Sequence, residues 1–501
     1  MPESDLDKAS PTPRLSSVRM LLAKAINADW DFRILDLSGA FLNSPAQGQT
    51  YLRLPPGRNK PGYAALLLKN LYGSVFAPRA WHNMLYNWFT THGFTPNEHD
   101  PCIYSRHTHA DGTHSDAAET DPHATVMHCI VHVDDIGYCG TTAQCEQFRR
   151  EIEADDGFQI DYLGRLGVDE KAMRYLGIEI ERTKDSFILH NDTLIENLLK
   201  KAGLQNINHE DVPMRDIRLS AEDCPTDENE RAAMAQLPFR SLLGQISYIA
   251  LCSRPCLSYA YKELSRFANN PGRKHWQALL STIGYIKKTR ASLRLVISSG
   301  GGTALSAYCD SDWNNQPDAH LSTTGWVIFM GDSPVSWCSR TQRCTARSVC
   351  ESEYVAMSSL MQELVYLKML AASLDRPTLQ VPVYSNNGTK EKPGSVRRFK
   401  EYLASFTHSK PSFVYTDSLN AISNAGTPPG WLSEALRHIK TSFHFVKQFI
   451  WGPKPEFVLE HCRGEDNPSD CLTKGWGKAS AKENQRASVF HRHARFIHGL
   501  R

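Results

Sequence analysis

The sequence lacks any run close to the ~20 consecutive apolar residues that a membrane-crossing helix needs, so no membrane partner is expected. It also lacks a net charge of either sign worth the name: 56 Lys and Arg stand against 54 Asp and Glu, a balance of +2. Nucleic-acid enzymes gather positive charge on one face, so near-neutrality neither supports nor excludes such a partner. The cysteines lack a pattern. There are 13, an odd number without regular spacing, and Cys252-Ser-Arg-Pro-Cys256 has no second pair at zinc-like spacing. Reduced, buried thiols are expected. Met1–Arg14 is polar and Pro-containing, with neither the apolar stretch of a signal peptide nor the amphipathic basic face of a transit peptide. A cytosolic or nuclear chain is expected.

What is present suits a folded protein of two or three domains: 501 residues, 41% apolar and 22% charged. Residues 1–17 read as a disordered leader. Val18, Leu21, Leu22, Ala25 and Ile26 recur at helical spacing, and Arg33–Leu37 reads as a short strand. Pro78–Phe89 is an aromatic-rich helix, and residues 107–124 are a solvated loop. Val126–Tyr138 is a β-rich run broken at Asp134-Asp135, hence a hairpin with two acids at its tip. Residues 192–206 and 238–290 are mostly helical, with an acidic linker over 207–237. From Leu305 short strands take over, followed by a long helix, Glu351–Leu374, and then strand–helix alternation, which indicates a mixed α/β domain over 303–476.

Phosphoryl transfer onto a nucleotide chain uses two divalent metals about 3.5–4 Å apart on rigidly held carboxylates. Magnesium takes oxygen ligands, so two or three aspartates suffice. Asp36, leaving one strand, and Asp134 with Asp135 at a hairpin tip form such a candidate set. Alone, an acidic pair at a turn is more often turn chemistry.

The surrounding text changes that reading. Asp36-Leu-Ser-Gly-Ala-Phe41-Leu-Asn43, Leu71-Tyr-Gly73-Ser-Val-Phe76-Ala77-Pro-Arg79-Ala-Trp81, Asp100-Pro-Cys-Ile-Tyr104 and His132-Val-Asp-Asp135-Ile resemble, in order, motifs of the copia-type retrotransposon Pol polyprotein. Tyr175–Ile180, Phe239–Gly244, Ser253–Pro255, Leu264–Phe267 and His275-Trp276 continue the series. The resemblance implies a reverse transcriptase palm (18–190), a mostly helical thumb and connection (191–302), and an RNase H-like domain (303–476) with an insertion at 385–411, then a tail (477–501). Asp36, Asp134 and Asp135 would hold two Mg²⁺ (or Mn²⁺). Phe41 would be the steric gate against a ribose 2′-hydroxyl, with Phe76 and Arg79 also at the nucleotide. The implied partners are an RNA template, a DNA primer, an RNA–DNA hybrid and dNTPs.

Farther on, Ala307-Tyr-Cys-Asp310-Ser-Asp312-Trp313, Cys350-Glu351-Ser-Glu353-Tyr354, Phe413–Ile422 around Asp417, and Gly464–Lys474 around Asp470 resemble the family's RNase H motifs. The resemblance implies a second two-metal site on Asp310, Glu353, Asp417 and Asp470, with Glu353 preferred to Glu351. Val383-Tyr-Ser385 also resembles the third of these strands, with Ser385 at the acid's position; Asp417 is preferred because Ser418–Ile422 continue the pattern. Arg437–Lys440 and His444-Phe445 match in part and would line the hybrid. Two departures lead us to expect a compromised polymerase beside an intact RNase H. Phe76 stands where the family has Gln, and the basic finger segment that clamps the triphosphate is not found ahead of the palm. The alternatives are a stand-alone hybrid nuclease or an inert nucleic-acid-binding remnant. Nothing in the sequence speaks to oligomeric state.

Overall fold

The computed structural model describes residues 10–46, 49–54, 56–58, 60–108, 125–155, 158–215, 217–316, 318–375, 411–427, 439–451, 455–476 and 481–500. They fall into two compact units, Met1–Leu176 with Met369–Thr407 and Gly177–Lys368 with His408–Arg501. Among the described residues no helix is long and apolar enough to cross a membrane.

The first unit opens with α1 (Leu15–Asn27), whose Val18, Leu21, Leu22, Ala25 and Ile26 are all buried, as the spacing predicts. The helix begins within the expected leader because Ser17 is tied down: its hydroxyl donates to Asp100 Oδ2 at 2.6 Å. Asp100 Oδ1 in turn accepts the Cys102 amide, so this Asp-Pro-Cys motif does structural work.

Next come β1 (Asp31–Ser38), the short helix α2 (Ala40–Asn43), the two-residue strands β2 (Tyr51–Leu52) and β3 (Ala65–Leu66), and α3 (Ala77–Thr91). They are followed by β4 (Thr95–Pro96), β5 (Ile103–Thr108), β6 (Thr125–His132), β7 (Asp135–Gly140), α4 (Thr142–Glu153), β8 (Gln159–Arg165) and β9 (Ala172–Tyr175). Six strands form one sheet in the order β4-β5-β6-β7-β1-β8. Trp81, Leu85, Trp88 and Phe89 of α3 pack on Tyr104, Tyr138 and Phe148, which makes the core largely aromatic. Strand β1 lies inside the sheet, flanked on both sides by antiparallel partners. Its acid is thereby placed on a rigid element.

The second unit begins with β10 (Ile178–Arg182), β11 (Ser186–His190) and α5 (Asp192–Lys201). The helices α6 (Glu228–Ala235), α7 (Phe239–Cys252), α8 (Ser258–Ser265) and α9 (Arg273–Thr289) follow, and β12 (Leu295–Ser298) pairs back onto β11. The acidic stretch 207–237, expected as a linker, is instead packed: Val212, Met214, Leu219 and Met234 are buried. A Cβ on Gly284 of α9 would come within 2.3 Å of the Asn208 carbonyl, so glycine lets this backbone lie directly on the helix. Sparse apolar residues in an acidic context show no periodicity, and that hid the packing.

A mixed five-stranded sheet and its helices follow, in chain order β13 (Leu305–Asp312), β14 (Thr323–Met330), β15 (Ser333–Thr341), α10 (Val349–Asp375), β16 (Ser412–Thr416), α11 (Leu419–Gly426), α12 (Lys440–Ile450) and β17 (Phe457–His461). The strand order is β15-β14-β13-β16-β17. The first three strands are antiparallel, while β16 runs parallel to both β13 and β17. Residues 477–501, expected as a tail, carry α13 (Ala481–Ile497), with Phe490, Ala494 and Ile497 fully buried. The Phe496 ring packs on Tyr308 and Phe329, and the Val296 amide donates to the His498 carbonyl. All thirteen cysteines are free, most of them buried and Cys344 exposed. Ser385 and residues 385–410 of the insertion, most of the loop at 107–124, and Arg437-His438 lie outside the described residues.

One ion-pair network in this unit has a pH signature. At the start of α5, burial alone would raise the Asp192 carboxyl, but His190 and Arg294 overcome it and hold the group at about 2. A depressed folded value means stability that is present above the unfolded 3.8 and lost as pH falls through about 2. Asp192→Asn should therefore cost roughly 2 kcal/mol at pH 7. Denaturant melts at pH 7 and pH 2 check this; a cost that persists undiminished at pH 2 would sink it.

Candidate functional site

In the first unit, backbone pairing brings the acids together. Asp36 of β1 stands directly opposite Asp135 of β7, and on its other side opposite Asp161 of β8. Strands β6 and β7 are joined through Val133 and Asp134. Val133 has φ +58, a left-handed conformation that a β-branched residue adopts only when its surroundings impose it. Two hydrogen bonds do so. Trp81 Nε1 donates to the Val133 carbonyl at 2.6 Å, and the Leu37 amide donates to the Asp134 carbonyl at 2.9 Å. The Trp that closes the Leu71–Trp81 motif thus holds the acidic turn in place.

Burial, then Asp134 and Asp161, raise the Asp36 carboxyl above its usual value. Burial, then Asp134 and Asp36, raise Asp135, offset in part by His132 and Arg174. Crowded acids that raise one another in this way are suited to a bound cation. Asp161, which accepts from the Ser38 hydroxyl, was not foreseen. Its only signal was its place in β8, and register cannot be read from one strand.

Gly39, at φ +68, turns the chain out of β1 into α2 and sets Phe41 against the core. The Phe41 ring lies 5.0 Å from the Tyr72 ring, and the Tyr72 phenol is raised first by burial, then by Asp134 and Asp36. Tyr72 therefore belongs to this site, although it was read only as part of a motif. Phe76 is the residue that precedes α3, and Arg79 sits within the first turn. With Leu52, Asn70, Tyr72 and Val75, Phe76 lines a recess of about 440 Å³ whose described lining residues are uncharged.

The second unit holds a tighter set. Asp310 on β13, Glu353 on α10 and Asp417 at the end of β16 each offer one oxygen, and these oxygens all lie within 4.8 Å of one another. Among the described residues no other set of three such side chains does so. Asp310 is raised to about 7, by burial first and then by Asp470 and Asp417. Glu353 is raised well above the usual range by burial, Asp310 and Asp417, and its buried Oε2 has no hydrogen-bond partner among the described residues. Burial also raises Asp470, against the pull of its ion pair with Lys474. Glu351 has a different place: its Oε2 accepts the Arg347 amide at 2.7 Å just before α10.

The fourth acid arrives through tight packing. Gly325 of β14 is the register partner of Asp310. A Cβ there would come within 2.5 Å of Thr473 Cγ2 and 3.0 Å of Leu472 Cβ, so the bare glycine admits the 468–472 turn that bears Asp470. Asn467 pins that turn, donating to the Cys309 carbonyl at 2.9 Å and accepting the Ser469 amide. The Thr473 hydroxyl donates to Asp310 Oδ2. A cluster of four carboxylates, two of them buried, with Asp310, Glu353 and Asp470 shifted towards the protonated form, fits a hard divalent cation such as Mg²⁺ or Mn²⁺.

The chain is similar to known proteins along most of its length. Residues 1–216 match the family model described as "Reverse transcriptase (RNA-dependent DNA polymerase)". The chain is 26% identical over 471 residues to the "Retrovirus-related Pol polyprotein from transposon TNT 1-94" of Nicotiana tabacum, covering 93% of this chain and 31% of that protein. It is 25% identical over 476 residues to the corresponding polyprotein from transposon RE1 of Arabidopsis thaliana, covering 93% and 28%. The chain thus spans about a third of the length of these relatives. A solved foamy viral protease–reverse transcriptase in complex with dsDNA is 13% identical, covering 87% of this chain and 68% of that one, at a TM-score of 0.43, a likeness too distant to carry weight. Residues 1–216 thus match the reverse transcriptase family, and 93% of the chain is similar to Pol polyproteins of copia-type retrotransposons.

Proposed function

We propose that the chain carries an RNA-directed DNA polymerase palm with weakened nucleotide binding, followed by a competent RNase H centre that cleaves RNA in an RNA–DNA hybrid. The observation that carries the second half is the convergence of Asp310, Glu353 and Asp417 oxygens within 4.8 Å on a mixed sheet. Asp310, Glu353, Asp417 and Asp470 would hold Mg²⁺ or Mn²⁺ there. In the palm, Asp36, Asp134 and Asp135 would do so. Bound cations lower the pKa of an attacking water or hydroxyl and neutralise charge on the transferred phosphoryl group.

The protein's own share is positioning. In the RNase H centre, strand, helix and turn fix four acids whose mutual repulsion is relieved when a cation arrives. In the palm, Phe41 against Tyr72 forms an aromatic wall suited to rejecting a ribose 2′-hydroxyl. Phe76, which stands where the family has Gln, supports the weakened polymerase, because a phenyl ring supplies none of that residue's hydrogen bonds. RNA template, DNA primer and dNTPs are the partners of the palm, and the hybrid is that of the RNase H centre.

The test is cleavage of a labelled RNA–DNA hybrid with Mg²⁺, run beside primer extension on an RNA template, for wild type, Asp310→Asn and Asp134→Asn. Cleavage lost only in Asp310→Asn, with little or no extension, is the expected result. Robust extension abolished by Asp134→Asn would overturn the weakened palm. Neither activity in a folded protein would leave an inert remnant.

A further inference from the structure

Asp310 is the end of a hydrogen-bonded chain that begins on a helix outside the carboxylate cluster. The Lys262 ammonium, on α8, donates to Glu263 and, at 2.6 Å, to the Thr323 hydroxyl oxygen. Thr323 donates to Asn315 Oδ1 at 2.8 Å, and Asn315 Nδ2 donates to the Thr473 carbonyl at 3.2 Å. Thr473 closes the chain on Asp310 Oδ2. Lys262, Thr323 and Thr473 are all buried, and Glu263 is held in turn by Arg266, which also pairs with Asp318.

The direction of this chain is forced. An ammonium has no acceptor, so the Thr323 oxygen must accept from Lys262 and its single hydrogen is left for a partner. That partner must be an acceptor, which fixes the Asn315 amide with Oδ1 towards Thr323 and Nδ2 towards Thr473. The Thr473 backbone is then held where its hydroxyl meets Asp310. The same β-strand pairing that sets Thr323 opposite Asp312 keeps the relay in register with the site.

We propose that Lys262 is a positioning residue for Asp310, acting through Thr323, Asn315 and Thr473 to set the affinity of the carboxylate cluster for its cation. The inference rests on the RNase H reading. Partners that orient a metal ligand from behind are typically worth roughly ten- to a hundred-fold in metal affinity.

The experiment uses the full chain carrying Asp134→Asn throughout as its parent, so that the palm acids do not set the signal, with Mg²⁺ alone as the probe and thermal melting as the readout. Thr323→Val keeps the volume and removes the hydroxyl, while Thr323→Ser keeps the hydroxyl. The expected result is a half-saturating Mg²⁺ concentration about ten-fold higher in Thr323→Val and near that of the parent in Thr323→Ser. Lys262→Met should raise it similarly. Lys262→Met with Thr323→Val should cost no more than either alone, since both break one chain. If the parent is stabilised by Mg²⁺ and Thr323→Val responds identically, the relay is overturned while the RNase H reading stands. If Mg²⁺ does not stabilise the parent, the reading beneath it fails as well. Should Lys262→Met not fold, the Thr323 pair decides alone.

Discussion

Asp310→Asn should abolish hybrid cleavage by about a thousand-fold or more while making the protein more stable at pH 8. On the RNase H reading, the loss follows from removing a charged ligand from a site whose cations would supply several kcal/mol of transition-state stabilisation, roughly 4 kcal/mol per thousand-fold. The gain follows from the pKa. Asp310 is raised from 3.8 to about 7, because burial and the neighbouring Asp470 and Asp417 oppose its charge. A raised acid binds its proton more tightly in the fold than in the unfolded chain. Its penalty is therefore absent below the unfolded value of 3.8, grows as pH rises, and is complete above about 7. That interval corresponds to on the order of 4 kcal/mol, an upper bound because the neighbouring acids share the strain. Asparagine occupies the same space, still accepts from Thr473, and carries no charge. Its stabilising effect should appear at pH 8 and shrink to near zero at pH 4. Adding Mg²⁺ at pH 8 should stabilise the wild type more than Asp310→Asn. Melts in which the difference between the two proteins is the same at both pH values would sink the account. On that reading the residue trades stability for function.

Gly325→Ala should damage the same site without touching a carboxylate. The new methyl would meet Thr473 Cγ2 at 2.5 Å, Leu472 Cβ at 3.0 Å and the Ser469 carbonyl at 3.1 Å. Leu472 and Thr473 are fully buried, so neither can swing aside, and the turn carrying Asp470 must shift. Overpacking of this kind costs about 1–3 kcal/mol. A displacement near 1 Å at a reacting centre costs on the order of a hundred-fold in rate. The combination expected is a moderate loss of stability with a larger loss of hybrid cleavage, and primer extension unchanged. A variant that is destabilised yet cleaves at the wild-type rate would show that the 468–472 turn does not position Asp470 for the reaction.

Local periodicity and motif order carried much of the architecture. The helix over Val18–Ile26, the hairpin with Asp134 and Asp135 at its tip, and the long helix after Cys350 could be read because amphipathic spacing and β-rich runs are local properties. The packed stretch at 207–237 and the helix at Ala481–Ile497 could not. Their apolar residues are sparse among charged ones and acquire meaning only against a partner surface.

By itself, then, the sequence determined which residue types lie at which points along the chain: acids at strand ends, an aromatic after Asp36, Phe76 before a helix. Tertiary structure decided which of them meet. Only antiparallel register set Asp36 opposite Asp135 and Asp161, only the bare Gly325 admitted Thr473 beside Asp310, and only helix phase sent Glu353 into the cluster with Glu351 left near the start of α10. Register and phase depend on contacts distant in sequence, because a shift of one residue along a strand moves a side chain to the other face.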